Sequence, residues 1–223
     1  MMPGDKVTQR YCILCENVID HFLVDPNINK PKYCPHCRSY NRTRLTYYHL
    51  EQYGLLQRPE LNVLHVAPHA SIENKLRGIF GERYVTCDLV RMDVDYRQDL
   101  TAMTFADNEF DLIIMNHVLE HIDADEKALK ELHRILAVGG ALHLMVQINR
   151  SNPHSRYHPA EQRKPPAEFS PQDHIREYAW DVVPKLEQCG FSVNVIEYSK
   201  LLSKELRDYH GFKRDVILWC EKR

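Results

Sequence analysis

The stretch from Phe105 to Ile148, FADNEFDLIIMNHVLEHIDADEKALKELHRILAVGGALHLMVQI, limits what this chain can fold into more than any other. Leu112 to Met115 is an unbroken apolar run, the pattern of a parallel strand covered on both faces. Asp107-Asn108 ahead of it is a turn signal. Asp123, with Glu126 three residues on, predicts a capping-box-like helix start. Ala128, Leu129, Leu132, Ile135 and Leu136 then recur at helical spacing, with Lys127, Lys130, Glu131 and Arg134 between them. Gly139-Gly140 is expected to stop the helix, and Ala141 to Ile148 to form the next strand. The sum is one parallel βαβ unit. Asn116-His117-Val118-Leu119-Glu120-His121 falls between first strand and helix, at the carboxyl end of a buried strand, where open α/β sheets bind ligands.

The same alternation extends to both sides. Asn62 to Ala67 predicts a first strand, Pro68-His69-Ala70 a turn, and Ile72 to Phe80 a helix that Ser71 can cap. Tyr84 to Cys87 predicts a second strand closed by Asp88, and Val94 to Arg97 a short third one before Gln98-Asp99-Leu100-Thr101. Ser151 to Asp173 is rich in Pro, His and charge and too long for a routine connection, which favours a functional lid or a disordered excursion. Asp173-His174-Ile175-Arg176-Glu177-Tyr178 follows it. Asp181 can cap a helix with Pro184 in its first turn, ended at Cys189-Gly190. Phe191 to Glu197 and Val216 to Glu221 are the last two strands, expected as an antiparallel pair.

Four of the seven cysteines form two knuckles, Cys12-Ile13-Leu14-Cys15 and Cys34-Pro35-His36-Cys37. Two residues between thiolates let one turn present both sulfurs to a tetrahedral Zn²⁺, and four such ligands leave no open position for water. Cys12, Cys15, Cys34 and Cys37 are therefore expected to hold a structural zinc ion, with His36 a bystander. Residues 8 to 40 contain too few apolar side chains to fold alone, and metal binding would supply that free energy. Arg38, Arg42 and Arg44 follow, read as a solvated helix start rather than a nucleic-acid contact because the patch is small. A helix from about Ser39 to Tyr53, ended by Gly54, would join the ribbon to the main domain. Cys87, Cys189 and Cys220 read as core residues.

"FDLIIMNHVLEHI", a helix ending in "LHRILAVGG", an apolar strand and the terminal antiparallel pair together resemble the class I S-adenosylmethionine-dependent methyltransferase domain. The resemblance covers well over half the chain and names no substrate. It implies a doubly wound, seven-stranded Rossmann-like sheet over 61–223, with a zinc ribbon at 1–40, a connecting helix at 41–60 and a lid or insertion at 151–178. By that resemblance S-adenosylmethionine lies against Ala67, Pro68 and His69 at its methionine end. Asp88 holds the ribose, Asp99 and Leu100 meet the adenine, and Asn116 and His117 face the acceptor. Relatives often carry a string like Asp173-His174-x-Arg176-x-Tyr178 that closes the site, so His174, Arg176 and Tyr178 are expected at the acceptor or as lid anchors. His117 or His174 would remove the acceptor's proton, while Glu120 and His121 are read as capping or packing residues.

The chain departs from the family at HVAPHAS, residues 65 to 71, where a glycine-rich turn is usual and no glycine stands. A proline-stiffened form of this turn occurs in similar proteins. The missing glycines argue against a nicotinamide oxidoreductase, and they motivate a second reading: a non-catalytic zinc-ribbon binding protein with a degenerate methyltransferase domain. His117-x-x-Glu120-His121 is a weak match to an inverted zinc-protease string, which the flanking βαβ pattern explains instead. A formal charge of −2 with 27% charged residues gives no strong nucleic-acid signal. No apolar run approaches the roughly 20 residues of a membrane span. MMPGDKVTQRYC lacks a signal peptide's apolar core, so a cytoplasmic protein is expected. The acceptor, whether small molecule, saccharide, protein or RNA, is not legible.

Overall fold

The computed structural model describes residues 9–25, 30–158 and 174–223; MMPGDKVT and most of the expected lid, 159–173, lie outside them. In chain order the elements are β1 (Arg10–Cys12), β2 (Asn17–Ile19), β3 (Leu23–Asp25), β4 (Lys30–Tyr33), α1 (Asn41–Gln52), β5 (Val63–Val66) and α2 (Ala70–Phe80). Then come β6 (Tyr84–Asp88), β7 (Tyr96–Arg97), β8 (Phe110–Asn116), α3 (Asp125–Ile135), β9 (Leu136–Met145), β10 (Arg156–Tyr157) and β11 (Arg176–Glu177). The chain ends with α4 (Val182–Gln188), β12 (Phe191–Ile196), α5 (Tyr198–Leu201), α6 (Lys204–His210) and β13 (Ile217–Lys222). Among the described residues no helix is long and apolar enough to cross a membrane.

Two compact units result, and neither is continuous in sequence. One comprises Met1–Pro59, His69–Gly81 and Glu197–Asp215; the other comprises Glu60–Pro68, Glu82–Ile196 and Val216–Arg223. The short N-terminal strands, α1, α2, α5 and α6 belong together to the first unit.

In the first unit β1 pairs with β2 and β3 with β4, both antiparallel. Helix α1 ends where Gly54 takes the left-handed conformation, at φ 67°. Of the three arginines after the second knuckle, Arg38 is exposed and Arg42 half-buried, but Arg44 departs from the expected solvated start. Arg44 is fully buried. Its guanidinium donates to the carbonyl oxygens of Ser39 (2.5 Å), His210 (3.0 Å) and Gly211 (3.2 Å) and lies 4.0 Å over the Phe22 ring. Gly211 tolerates nothing larger: its φ is 66°, and a Cβ there would lie 2.4 Å from Phe22 and 2.9 Å from Arg44. Rings fill much of the remaining interior, with Tyr48 against Tyr198 and Phe212, and Tyr11 stacked on Tyr209.

The second unit is built on a seven-stranded sheet of order β12-β13-β9-β8-β5-β6-β7. All neighbours are parallel except β13, which runs antiparallel to β12 and β9. This is the expected doubly wound, Rossmann-like order. Every residue of β5 is buried, His65 included, as are Leu112 to Met115 of β8, which is why the latter reads as an unbroken apolar run. Ala128, Leu129, Leu132 and Ile135 of α3 pack into the same core.

Local expectations fail here in instructive places. Helix α3 stops at Ile135 rather than at Gly139-Gly140, and β9 runs straight on from Leu136. The glycines instead sit where the β8–β9 register shifts, between the Phe110–Leu136 and Leu112–Ala141 pairs. A Cβ on Gly140 would lie 2.9 Å from the carbonyl oxygens of Asp111 and Ala137, so the pair serves a strand irregularity. Asp123 does not cap α3; Ala124 is the N-cap, and the Asp123 carboxylate accepts from the Tyr157 hydroxyl at 2.8 Å. Asp181 makes no side-chain cap for α4 but takes the Ser155 hydroxyl and backbone N–H at 2.5 and 2.9 Å. The expected third strand shrinks to two residues, and α5 and α6 had no counterpart in the sequence reading.

Candidate active site and metal centre

The sheet's winding reverses between β5 and β8, and their carboxyl ends lie side by side, Val66 opposite Met115. Ligands of open α/β sheets bind at such a switch point. Both strands leave it through a non-glycine residue with positive φ, Ala67 at 48° and His117 at 55°. Such conformations are costly for side-chain-bearing residues and cluster at functional sites. They are held by backbone bonds: Ala67 N donates to the Cys87 carbonyl and His117 N to the Met145 carbonyl, each at 2.8 Å. Ala67 thus makes a left-handed turn without glycine. Pro68 is buried, and its carbonyl accepts from Arg91 Nη1 at 2.5 Å.

His117 does not stand alone. Its Nδ1 lies 3.1 Å from Glu120 Oε1, which also accepts the Gln147 backbone N–H at 2.7 Å. Glu120 is wholly buried, and its second oxygen, Oε2, has no hydrogen-bond partner. Burial pushes this carboxyl up, but the His117 contact and the Gln147 N–H outweigh it and hold it below the ordinary range. Its own carbonyl accepts from Ile175 N at 2.9 Å. Glu120 is therefore more than the packing residue expected. The short helical turn Leu119–His121 puts it three residues after His117 and under it.

At the end of β6, Asp88 Oδ1 accepts the backbone N–H groups of Val90 (2.7 Å) and Arg91 (3.0 Å), which shapes the loop beyond the strand. Asp99 is exposed and caps its own turn, taking the Thr101 N–H and hydroxyl at 2.8 Å each. Those bonds hold its carboxyl below the ordinary range. Leu100 is buried in the core. Asp95 accepts the Thr86 N–H and hydroxyl at 2.8 and 2.7 Å. His69 belongs to the first unit, where its ring nitrogen accepts from Ser71 N at 3.2 Å and so caps α2.

Arg176 and Tyr178 turn inward. Both reach Asp125, Arg176 Nη1 at 2.6 Å and the Tyr178 hydroxyl at 2.8 Å, and Lys185 joins them at 2.7 Å. Tyr178 is fully buried, and burial followed by the Asp125 charge pushes its phenol up. With β10 paired to β11, this knot fixes the chain on either side of 159–173. His174 lies edge-on to His121, ring centres 4.9 Å apart. Asp125 and Lys185 escaped the sequence reading because helical periodicity alone does not show which charged residue faces inward.

In the first unit the sulfur atoms of Cys12, Cys15, Cys34 and Cys37 lie within 4.8 Å of one another, with Cys12–Cys37 at 3.6 Å and Cys15–Cys34 at 3.7 Å. A tetrahedron of 2.3 Å zinc–sulfur bonds has edges of about 3.8 Å, so the donor set and its spacing fit zinc. His36 is not part of it. The contact with Cys37 draws the Cys12 thiol down to about 4. Ser39 Oγ touches Cys37 and Cys12 at 3.1 and 3.4 Å and also receives Arg44 Nη1 at 3.3 Å, so the buried cation leans on the sulfur cluster through one hydroxyl.

Residues 70–144, from the start of α2 through most of β9, match the family model of the methyltransferase domain. No curated protein matches the chain. Among solved structures, the YcgJ protein of Bacillus subtilis is 14% identical over 78% of this chain and 99% of its own, with a TM-score of 0.49. An S-adenosylmethionine-dependent methyltransferase from Aquifex aeolicus is 15% identical over 75% and 87%, TM-score 0.46. One from Mesorhizobium loti is 13% identical over 77% and 97%, TM-score 0.49. Likeness at this level transfers neither activity nor substrate. With the family model on residues 70–144 and the seven-stranded order in place, the chain resembles the class I S-adenosylmethionine-dependent methyltransferases in structure as it does in sequence.

Proposed function

We propose that this protein is an S-adenosylmethionine-dependent methyltransferase acting on an oxygen or nitrogen acceptor. The observation that carries the reading is the switch point itself: Ala67 supplies the left-handed turn in a chain whose residues 70–144 match the methyltransferase domain. When bound, S-adenosylmethionine supplies an activated methyl group, and the chain's task is positioning. Ala67 and Pro68 would lie at its methionine end and Asp88 would accept its ribose hydroxyls. Asp99 and Leu100 would flank the adenine, and Asn116 and His117 would face the acceptor. His117 is the proton acceptor the geometry favours over His174, since only His117 stands at the end of β8 with a carboxylate on its far nitrogen. The four-cysteine cluster would hold one structural zinc ion. Isothermal titration with S-adenosylmethionine is expected to show saturable binding; no binding at millimolar concentration would sink the proposal.

A further inference from the structure

We infer that Glu120 is a positioning residue that fixes His117 as the Nδ1–H tautomer and so presents Nε2 as a base toward a hydroxyl acceptor. The inference rests on the methyltransferase reading for its acceptor, but not for the tautomer. Four observations converge on it. Glu120 Oε1 is 3.1 Å from His117 Nδ1. The carboxylate is wholly buried, and its second oxygen is unpartnered. A buried, half-satisfied carboxylate costs stability, and a neutral residue of like shape would pack there more cheaply. The oxygen that is satisfied is pinned by the Gln147 N–H, so it cannot swing away from the ring. Finally, the His117 side chain keeps 20% of its surface exposed, and among the described residues no protein atom bonds Nε2.

A carboxylate can only accept, so the facing ring nitrogen must be the protonated one, and the base is then the opposite nitrogen. The left-handed backbone at His117 adds a second constraint, because it sets where the Cβ leaves the chain. The chemistry narrows the acceptor. A neutral amine attacks through its own lone pair and sheds its proton afterwards. An alcohol or phenol oxygen gains nucleophilicity only as its proton leaves, which is the step a carboxylate-backed imidazole assists. His117 Nε2 takes the hydroxyl proton while the oxygen bonds the methyl carbon. The electron pair of the broken carbon–sulfur bond stays on sulfur, and the imidazolium later passes its proton to water.

Long-range proton–nitrogen correlation spectra of the ¹⁵N-labelled full chain, with His117 assigned by loss in His117→Gln, test the tautomer without any substrate. Above neutral pH the expected result is a protonated Nδ1 and a bare Nε2; in Glu120→Gln the ring should divide between tautomers. A protonated Nε2 in the wild type would overturn the inference, as would an unchanged tautomer in a folded Glu120→Gln. Should that variant not fold, the wild-type spectrum decides alone. Titration with S-adenosylmethionine keeps the two ideas apart. Cofactor binding with the wrong tautomer removes Glu120's role only, whereas the right tautomer without binding removes the methyltransferase reading only. With tritiated methyl donor and a metabolite extract, label in methyl ethers supports a hydroxyl acceptor; label in methyl esters or methylated amines, or none, overturns it.

Discussion

The first unit buries a cation and the second buries anions, and the contrast follows from what else each has to hold it together. Arg44 sits at 0% exposure among three carbonyl oxygens, an aromatic face and a hydroxyl that touches the sulfur cluster. Around it are strands of three or four residues and helices packed through tyrosines, with no long sheet among the described residues. The unit's buried aliphatics, Leu45, Leu50, Ile72 and Leu76 among them, come from separate short elements, and a four-cysteine cluster able to hold a metal and a satisfied buried charge add to its cohesion. The second unit has its cohesion already, in β5, β8 and β9. Its buried acids are consequently spent on placement: Asp125 ties Arg176, Tyr178 and Lys185, and Glu120 backs His117.

Removing the metal should break this contrast most visibly. Structural zinc in small sites is worth on the order of 10–16 kcal/mol. Chelation at neutral pH is therefore expected to unfold the first unit, with loss of its tyrosine near-ultraviolet signal and release of one zinc per chain. Metal analysis showing no zinc, or a spectrum indifferent to chelation, would refute it. Next in size, Arg44→Met should destabilise by about 3–5 kcal/mol, because it takes the guanidinium donor from the carbonyl oxygens of His210 and Gly211 and leaves Ser39 O only the Cys34 N–H. Arg44→Lys should recover only part of that, since an ammonium lacks the fork. Urea midpoints of both variants measure the effect.

The smallest expected effect compares one buried histidine in each unit. Burial draws His49 down to about 4 and His65 to about 3, each with Nδ1 against a tyrosine hydroxyl, at 3.1 and 2.7 Å. In the unfolded chain both titrate near pH 6.5. As pH falls below that value the unfolded state takes up protons first, so stability declines from about pH 6.5 down to the folded values. At pH 5 the loss is about 2 kcal/mol per histidine, at 1.36 kcal/mol per pH unit. His49→Gln and His65→Gln should each flatten the fall in urea midpoint between pH 7 and 5; an unchanged slope in both would show that other groups set it.

What could be read from the sequence was what is local in it. The cysteine pairs, the apolar run of β8 and the terminal antiparallel strands carry their meaning in a few adjacent residues. Arg44 was misread because its partners lie 166 and 167 positions downstream, where no local pattern points back to it. Gly139-Gly140 was misread because a helix stop and a strand irregularity share one signature, and the deciding neighbour, Asp111, is on another strand. Glu120 was undervalued for a related reason: its spacing from His117 was visible, but its burial was not. The glycine-free turn at Ala67 was legible as an exception, yet only backbone geometry showed that alanine takes the left-handed conformation there.

The discontinuity of the first unit also sets an order of events during synthesis. The knuckles leave the ribosome early, but the carbonyls of His210 and Gly211 that close over Arg44 follow 166 residues later. At roughly 5–20 residues per second, that delay is about 10–30 s. Through it the nascent ribbon has its thiolates and its arginine but no α6 to shelter them. Metal captured early would give that exposed segment a folded form to wait in, and a chain cut short before Gly211 could never bury its arginine.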